Sequence, residues 1–447
     1  VDCSTAVVIS PAAASELVIT TEPSVTGTAG ADLATQPVVE VRDAYTNVVT
    51  SSSDTVVLTP YTTADCSTTA STGTTNNGSK AASSGIATFT NVNHEKDEII
   101  YYEVSSGGLT TDCTIASDIT YAAAAVLAFS TEPSATGTAG VNLVTQPVVT
   151  VQDAFANTVL NAVDSITLAV FTDVGCTAAG GGAFNVTTNP LAATAGVSTF
   201  AGVNYDTAES IYIKASAGGL TTDCSTVVAI SPNIADHIEI SGGTTQTINA
   251  GACSAVMTFQ TRDQYGNITT DQNGGPTTIT LSTDSGGGGT TGFYTDSGCT
   301  TTASGSIQIA DTSSTQTVYY TDEVQGTPLL TGTVAGFTTQ GSDNTTFTIN
   351  PAAADHIEFS AGLAQTVTAG VCSAIITVQT KDTFGNVTTN NPGNTSVVLT
   401  SDSTGTKDYY TDASCTSSAS GSVTINDGTS SKNFYYKDTM AAGPQLT

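Results

Sequence analysis

The chain has 447 residues and a net charge of −30, with 9 Lys and Arg against 39 Asp and Glu. A field of that sign repels nucleic acid and anionic lipid, so neither is expected as a partner. No apolar run approaches the roughly 20 residues of a membrane span, so membrane insertion is not expected either. The chain is rich in Thr, Val, Ile, Tyr and Phe and is punctuated by Gly, a composition that favours short strands and turns. An all-β fold is therefore predicted.

A five-residue motif, Asp-x-aromatic-x-Asn, recurs along the chain and divides it into repeats. Its four copies are Asp43 to Asn47, Asp153 to Asn157, Asp263 to Asn267 and Asp382 to Asn386. The predicted domains are 12–122, 123–231, 232–350 and 351–447, named repeats 1 to 4 below. Residues 1–11 match the end of repeat 2, so they are expected to be the last strand of a preceding or partner domain. Repeat 4 is expected to lack its own last strand.

The alternation of apolar residues predicts which side chains enter the core. In repeat 1, Leu17 and Ile19 are expected to point inward from one strand, and Val39 and Val41 from another. Short linkers that contain Pro and Ala connect the repeats and favour a linear, semi-rigid array.

Repeats 3 and 4 form a second subtype that opens with Ala-Asp-His-Ile-Glu. The inward residues of this strand are predicted to be Ile238 and Ile240 in repeat 3, and Ile357 and Phe359 in repeat 4. The His of each copy is expected on the outward face. A metal clip there is a weaker alternative.

Alignment of the repeats pairs eight of the nine cysteines. Each repeat has one Cys in a middle loop, and its partner lies at the end of repeats 1 and 2 but near the start of repeats 3 and 4. The predicted disulfides are Cys66–Cys113, Cys176–Cys224, Cys253–Cys299 and Cys372–Cys415. Cys3 is left unpaired or intermolecular. One pair per domain without Cys-x-x-Cys predicts disulfides, and therefore an extracellular or cell-surface location, in preference to metal binding.

The motif itself is predicted to be a structural turn and not a ligand site. Asp and Asn cap turns with their side chains, and Gly266 and Gly385 supply a positive φ. Repeats 1 and 2 carry Thr46 and Ala156 at that position, so their turns are expected to differ. The aromatic residue of each copy is expected to cover the end of its own core.

No cofactor and no metal site are predicted, although calcium stays open as an alternative. Its candidate ligands would be the recurring acidic residues of the cysteine loops and of the segments after the Tyr-Tyr strands: Asp173, Asp296, Asp412, Asp322 and Asp438. The few His residues form no Ser-His-Asp or Cys-His pattern, so no enzymatic activity is expected.

Several features together resemble bacterial immunoglobulin-like repeats of invasin-like surface proteins. They are an Ala-Gly followed by an alternating run into the motif, then a Gly-Ile-Ala-Thr-Phe or Gly-Val-Ser-Thr-Phe strand and a Tyr-bearing strand leading to Gly-Gly-Leu. The resemblance implies tandem immunoglobulin-like β-sandwiches in a disulfide-braced, non-catalytic segment of an extracellular filament, stalk or surface fibre. The expected partners are copies of the chain or neighbouring domains of a longer one.

Two alternatives remain for function. One is an adhesin that binds a glycan or a surface receptor. The other is a filament subunit that assembles head-to-tail, with residues 1–10 of one copy completing repeat 4 of another by strand addition.

Overall fold

The computed structural model of the chain describes residues 5–67, 71–389 and 393–447. Every regular element in these ranges is a β-strand, and the chain divides into two compact units on either side of Ser231 and Pro232. No helix that could cross a membrane occurs in the described ranges. The predicted all-β class is confirmed, and its architecture is a tandem of immunoglobulin-like β-sandwiches.

The first unit holds repeats 1 and 2. The strands of repeat 1 are β1 (Ala14–Thr21), β2 (Thr26–Thr28), β3 (Val38–Asp43), β4 (Thr55–Tyr61), β5 (Thr75–Asn76), β6 (Ser79–Ala81), β7 (Ile86–Thr88), β8 (Asn93–His94), β9 (Glu98–Ser105), β10 (Asp112–Cys113) and β11 (Ser117–Thr120). One sheet has the order β1-β3-β7 and the other β2-β11-β9-β4-β6, with β10 beside β9. The first strand of the second sheet, β2, runs parallel to the last, β11.

Repeat 2 has the same plan. Its strands are β12 (Val126–Thr131), β13 (Thr136–Thr138), β14 (Val148–Gln152), β15 (Ser165–Phe171), β16 (Phe184–Asn185), β17 (Leu191–Ala192), β18 (Val197–Thr199), β19 (Asn204–Tyr205), β20 (Ser210–Ser216), β21 (Asp223–Cys224) and β22 (Val228–Ser231). The sheets are β12-β14-β18 and β13-β22-β20-β15-β17, and β13 again runs parallel to the last strand, β22.

The second unit holds repeats 3 and 4. The strands of repeat 3 are β23 (His237–Gly242), β24 (Thr247–Asn249), β25 (Met257–Arg262), β26 (Thr277–Thr283), β27 (Gly292–Tyr294), β28 (Ser306–Ile309), β29 (Thr315–Thr321), β30 (Leu329–Thr333), β31 (Ser342–Thr346) and β32 (Thr348–Asn350). The sheets are β23-β25-β29-β27 and β28-β26-β30-β31, and β24 pairs in parallel with β32.

Repeat 4 repeats the early part of this plan. Its strands are β33 (His356–Ala361), β34 (Ile376–Lys381), β35 (Thr395–Val398), β36 (Lys407–Tyr410), β37 (Ser422–Ile425) and β38 (Ser431–Asp438). One sheet is β33-β34-β38-β36, and β35 pairs with β37. In the part of repeat 4 that the structure describes, no counterpart of β31 or β32 is present.

Each repeat has a hydrophobic core of its own, because its strands alternate buried and exposed residues. Leu17, Val39 and Val41 are buried as predicted, and Ile19 is half-buried at the edge of the same core. Ile238 and Ile240 of repeat 3 are buried as well.

The prediction for the first strand of repeat 4 is wrong for Ile357, whereas Phe359 packs against the edge of the core. Ile357 is 44% exposed, and Phe359 is only half-buried. In repeat 3 the matching strand is covered by the segment that leads into β31, where the N–H of Ile238 donates to the carbonyl of Gln340 at 3.0 Å. The described part of repeat 4 contains no such segment, so Ile357 stays in solvent.

Candidate functional site

The motif carboxylate forms a hydrogen bond with the linker that leads into each repeat. One oxygen, Oδ2, accepts the backbone N–H of a linker residue 30 or 31 positions earlier in all four repeats. The pairs are Ala12 with Asp43, Ala122 with Asp153, Asn233 with Asp263, and Ala352 with Asp382, at 2.8–2.9 Å. All four carboxylates are fully buried. Burial of a charge is tolerated here because each oxygen has hydrogen-bond donors.

The other oxygen of the same carboxylate closes the turn. In repeat 2, Oδ1 of Asp153 accepts the backbone N–H groups of Phe155 and Asn157 at 2.9 Å, and the side-chain amide of Asn157 donates to Oδ2. Burial raises the pKa of Asp153, but these donors and the N–H of Ala122 outweigh it and hold the pKa below its usual value. At Asp382, burial likewise raises the pKa, and the hydrogen bonds from Asn386, Ala352 and Phe384 lower it by more. The prediction that the motif shapes a turn therefore agrees with its hydrogen bonds.

The turns of the two subtypes do not differ as expected. Thr46 and Ala156 have a φ of 68°, in the same left-handed region as Gly266 at 87° and Gly385 at 84°. The closing bond is also the same, because the N–H at this position donates to the carbonyl of the motif Asp in repeats 1 and 3 alike. The pattern of donors to the carboxylate sets the backbone, and Thr and Ala accept the strain that Gly avoids.

The motif of repeat 2 also builds a joint with repeat 1. The side-chain amide of Asn157 donates to the carbonyl of Glu95 at 2.8 Å, and its oxygen accepts the N–H of Asp97 at 2.9 Å. The Phe155 ring lies directly against Gly30, where even a methyl group would overlap it. The expectation that the aromatic residue covers its own core is therefore wrong for Phe155, which packs on the preceding repeat.

Repeats 3 and 4 are joined by the same chemistry. The side-chain amide of Asn386 donates to the carbonyl of Glu323 at 2.7 Å, and its oxygen accepts the N–H of Gln325 at 3.0 Å. The Phe384 ring lies against Gly251 as Phe155 lies against Gly30. Each unit thus contains one copy of the joint, formed by one motif and by a glycine and a loop of the repeat before it. We name this arrangement the motif joint.

Sequence analysis missed the receiving half of the motif joint. Gly30 and Gly251 belong to the Ala-Gly that precedes the third strand, and both have a positive φ. The recurrence of this glycine 12 or 13 residues before the motif Asp was the available signal. Nothing in the sequence indicated that a motif reaches the glycine of the preceding repeat, because that contact depends on how two repeats are stacked.

Four disulfides join Cys66 to Cys113, Cys176 to Cys224, Cys253 to Cys299 and Cys372 to Cys415. These are the pairs that the repeat alignment predicts. Cys3 lies outside the described residues. The exchange of partners fits the topology, since both an early and a late segment of a repeat lie next to the middle loop.

The acidic residues of the cysteine loops are used as loop caps. Both oxygens of Asp296 accept hydrogen bonds from Thr300 and Thr301. The N–H of Thr301 is the main cause that lowers the pKa of Asp296 to about 2. Burial works against the same effect at Asp412, yet the N–H groups of Ser417 and Thr416 lower its pKa to about 2. Within the described ranges, no group of three or more His, Cys, Asp or Glu is placed to hold a metal ion.

Repeat 1 also contains a buried polar cluster around His94. The His94 ring forms two hydrogen bonds, one between Nε2 and Glu98 Oε1 at 3.0 Å and one between Nδ1 and the Thr75 hydroxyl at 2.9 Å. The Ser71 hydroxyl donates to Glu98 and not to the His ring. In repeat 2 the matching pair is Tyr205 and Glu209, joined at 2.6 Å. This replacement of His by Tyr is consistent with a structural hydrogen bond between β8 and β9 in repeat 1.

No known protein-family profile and no curated protein matches the chain. Among solved structures, it is similar to domains 1–6 of the surface layer protein SbsC, at 14% identity and a TM-score of 0.24. That likeness covers 98% of this chain and 53% of the other, so the chain spans about half the length of that structure. It is also similar to a three-immunoglobulin-domain fragment of titin, at 10% identity, 76% and 100% coverage and a TM-score of 0.27. Extracellular domains of Drosophila OTK match at 10% identity, 77% and 100% coverage and a TM-score of 0.23. Values this low assign neither a family nor a function.

Proposed function

We propose that the chain is a load-bearing, non-catalytic segment of an extracellular array of immunoglobulin-like domains. The observation that carries the proposal is the parallel pairing of the terminal strands of one sheet in repeats 1, 2 and 3, namely β2 with β11, β13 with β22, and β24 with β32. When the two ends of such a repeat are pulled apart, these strands slide against each other. Their hydrogen bonds are then loaded together in shear and do not open one after another.

The disulfides support the same role. Each closes a segment of 43 to 48 residues inside its repeat. A pulled repeat cannot extend this segment while the bond is intact, so a bridge limits the extension of a repeat that has opened. Disulfides of this kind are typical of proteins in oxidising, extracellular surroundings.

The motif joint supports alignment of successive repeats. An aromatic ring packed on a glycine, together with one hydrogen bond donated and one accepted by an Asn side chain, restricts rotation between two repeats more than a flexible linker alone would. The high negative charge keeps such an array soluble and opposes unspecific association.

Single-molecule pulling of the full chain tests the proposal. Repeats 1 to 3 are expected to unfold at clearly higher force than repeat 4. Repeat 4 serves as an internal control because its matching segment, residues 366–368, forms no strand pair in the described chain. Addition of a reductant is expected to lengthen the extension of each opened repeat by about 150 Å, since roughly 45 residues are released at about 3.4 Å each. Unfolding of all four repeats at equal, low force would overturn the proposal.

A further inference from the structure

Repeat 3 contains a solvent-open cleft of about 640 Å³. Its walls are the linker at 233–236, the loop that leads into β26 and the turn between β30 and β31, with Gln264 of the motif beside them. All the residues that line it belong to repeat 3, and none belongs to the parallel pair β24 and β32. Its volume falls within the roughly 300–1,000 Å³ of small-molecule sites.

Two features of the sequence of repeat 3 build this cleft. Nine residues lie between the motif and β26, whereas seven lie between the motif and the matching strand, β4 or β15, in repeats 1 and 2. The longer loop supplies Gln272, Asn273 and Pro276 to the wall. The turn after β30 carries Phe337, where the matching Gly-Leu-Thr-Thr turns of repeats 1 and 2 carry leucine. Repeats 1 and 2 therefore lack the residues that shape the cleft.

The charges around the cleft favour a neutral ligand. Of the described residues that line it, Asp236 alone is charged. Its Oδ1 accepts the N–H of Thr338 at 2.6 Å, and its Oδ2 accepts the N–H and the hydroxyl of Thr339. Because both oxygens hold the turn, the carboxylate is not free to pair with a cationic group. A wall without Lys or Arg, in a chain of net charge −30, disfavours an anion.

The inner wall of the cleft presents a buried hydroxyl that lacks a protein partner. Thr277 is 6% exposed and lies on the inward face of β26, in line with Ile279 and Leu281. Among the described residues, none forms a hydrogen bond with its hydroxyl. A hydroxyl at a core-facing position is costly unless it is bonded, so this one indicates a polar partner that enters from the cleft.

A second buried polar group lines the same wall. Gln272 is 5% exposed, and its amide N–H groups donate to Thr261 Oγ1 at 2.9 Å and to the carbonyl of Ser313 at 2.8 Å, which fixes the side chain. Its Oε1 is buried and has no hydrogen-bond partner. Buried acceptors in native proteins generally have a donor. A ligand hydroxyl, directly or through one bridging water, would supply it.

The remaining walls offer an apolar surface and two free amides. Phe337 is half-buried, since it packs against the core of repeat 3 and also lines the cleft. Gln264 and Asn273 are exposed at the cleft, and no described residue bonds their side-chain amides. Amides and hydroxyls around an aromatic ring match a sugar, which carries hydroxyls on its edge and C–H groups on its faces.

We propose that the cleft of repeat 3 binds a short, neutral saccharide. Sugar hydroxyls pair with Thr277 and Gln272 at the inner wall and with Gln264 and Asn273 at the rim. A face of one sugar ring packs on Phe337. This binding activity goes beyond the load-bearing role and does not depend on it.

Titration of the full chain with trisaccharides tests the proposal. The neutral probes are maltotriose, cellotriose, mannotriose and chitotriose, and trigalacturonate is the anionic comparison. Saturation-transfer NMR and calorimetry are expected to give a Kd of about 1 mM or tighter for at least one neutral probe, and no binding of trigalacturonate. The bound probe is also expected to raise the melting temperature of the second unit, because it binds the folded state.

Two substitutions in β26 separate the cleft from the rest of the strand. Thr277→Val removes the hydroxyl and keeps the shape of the side chain. Because that hydroxyl has no protein partner, the melting temperature is expected to be retained while saccharide binding weakens about tenfold. Thr280→Val makes the same change at an exposed position outside the cleft and is expected to leave binding unchanged. Phe337→Leu introduces the residue of repeats 1 and 2 and is expected to weaken binding by a similar factor.

The proposal is overturned if none of the neutral probes binds, if trigalacturonate binds as tightly as they do, or if Thr277→Val and Thr280→Val bind alike. A negative titration would leave the unfolding forces of repeats 1 to 3 unchanged. Failure of this inference is therefore distinguishable from failure of the proposed function.

Discussion

Repeats 3 and 4 share a subtype, a disulfide position and a motif, yet they differ in how their first strand is covered. In repeat 3, Ile238 is fully buried beneath the segment that leads into β31, whereas its counterpart Ile357 is 44% exposed. The early strands of repeat 4 nevertheless form the same sheet, β33-β34-β38-β36, as β23-β25-β29-β27 in repeat 3. The described part of repeat 4 thus has the first sheet and the disulfide loop of repeat 3, and the two repeats differ in the segments that complete the core of repeat 3.

The largest loss of stability is expected from a cavity-creating substitution in the final segment of repeat 3. Phe347 is fully buried and contacts Tyr320, so Phe347→Ala removes a large side chain and leaves a cavity that costs about 3–5 kcal/mol. The comparison variant is Phe359→Ala on the first strand of repeat 4, where the side chain is already half-buried and the expected loss is clearly smaller. Hydrogen exchange of the full chain, read separately for each repeat, measures both. Equal losses would mean that repeat 4 is as well packed as repeat 3.

The disulfides provide the next comparison. Replacement of Cys253 and Cys299, or of Cys372 and Cys415, by Ser is expected to cost each repeat about 2–4 kcal/mol. Repeat 3 is expected to stay folded, because its complete core retains enough stability. Repeat 4 is expected to unfold, because its core has fewer strands. Circular dichroism with the same exchange measurement checks this at 37 °C, and a folded repeat 4 without its bridge would contradict it.

Substitution of two glycines separates the contribution of the motif joint to stability from the cost of backbone strain. Gly251 and Gly370 both have a φ near 80°, so an added Cβ strains the backbone of each by about 1–2 kcal/mol. Only Gly251 is covered by the Phe384 ring. Gly251→Ala is therefore expected to cost about 1–3 kcal/mol more than Gly370→Ala, because the ring must move away.

Thermal unfolding of the second unit within the full chain measures the difference. Phe384→Ala in the Gly251→Ala background is the control, since it removes the clash and should restore part of the loss. Equal destabilisation by the two glycine variants would show that the ring does not hold the joint.

Much of the fold followed from local pattern. Strict alternation around Val39 and Val41 predicts a strand with one buried face, and the cysteine positions predict the disulfides because every repeat has one partner for its middle-loop Cys. The motif Asp was recognisable as a turn residue, since Asp side chains cap turns by a local hydrogen bond.

What could not be predicted depends on contacts between distant segments. The role of Phe155 required the position of Gly30 in another repeat, and the exposure of Ile357 required knowledge of what covers it. The hydrogen bond from the Ala12 N–H to the buried carboxylate of Asp43 joins residues 31 positions apart. No local sequence pattern indicates such a contact. The alternation of apolar residues indicates which side chains point inward, but not which segment of the chain covers them.

The smallest expected effect concerns a feature that repeats 3 and 4 share, the capped cysteine loop. The pKa values of Asp296 and Asp412 are lowered to about 2, so both carboxylates bind protons less readily in the folded state than in the unfolded one. Their contribution to loop stability is therefore complete above the ordinary value of 3.8 and is lost as the pH falls towards 2. Both side chains are only partly buried and bond within their own loops, so only the loops are expected to open. Amide exchange of Thr301 and of Ser417 between pH 5 and pH 2 should accelerate in parallel, beyond the intrinsic pH dependence. Asp296→Asn should remove this pH dependence at Thr301 and leave it at Ser417. If only one loop responds in the parent chain, the two loops are not equivalent and the prediction is wrong.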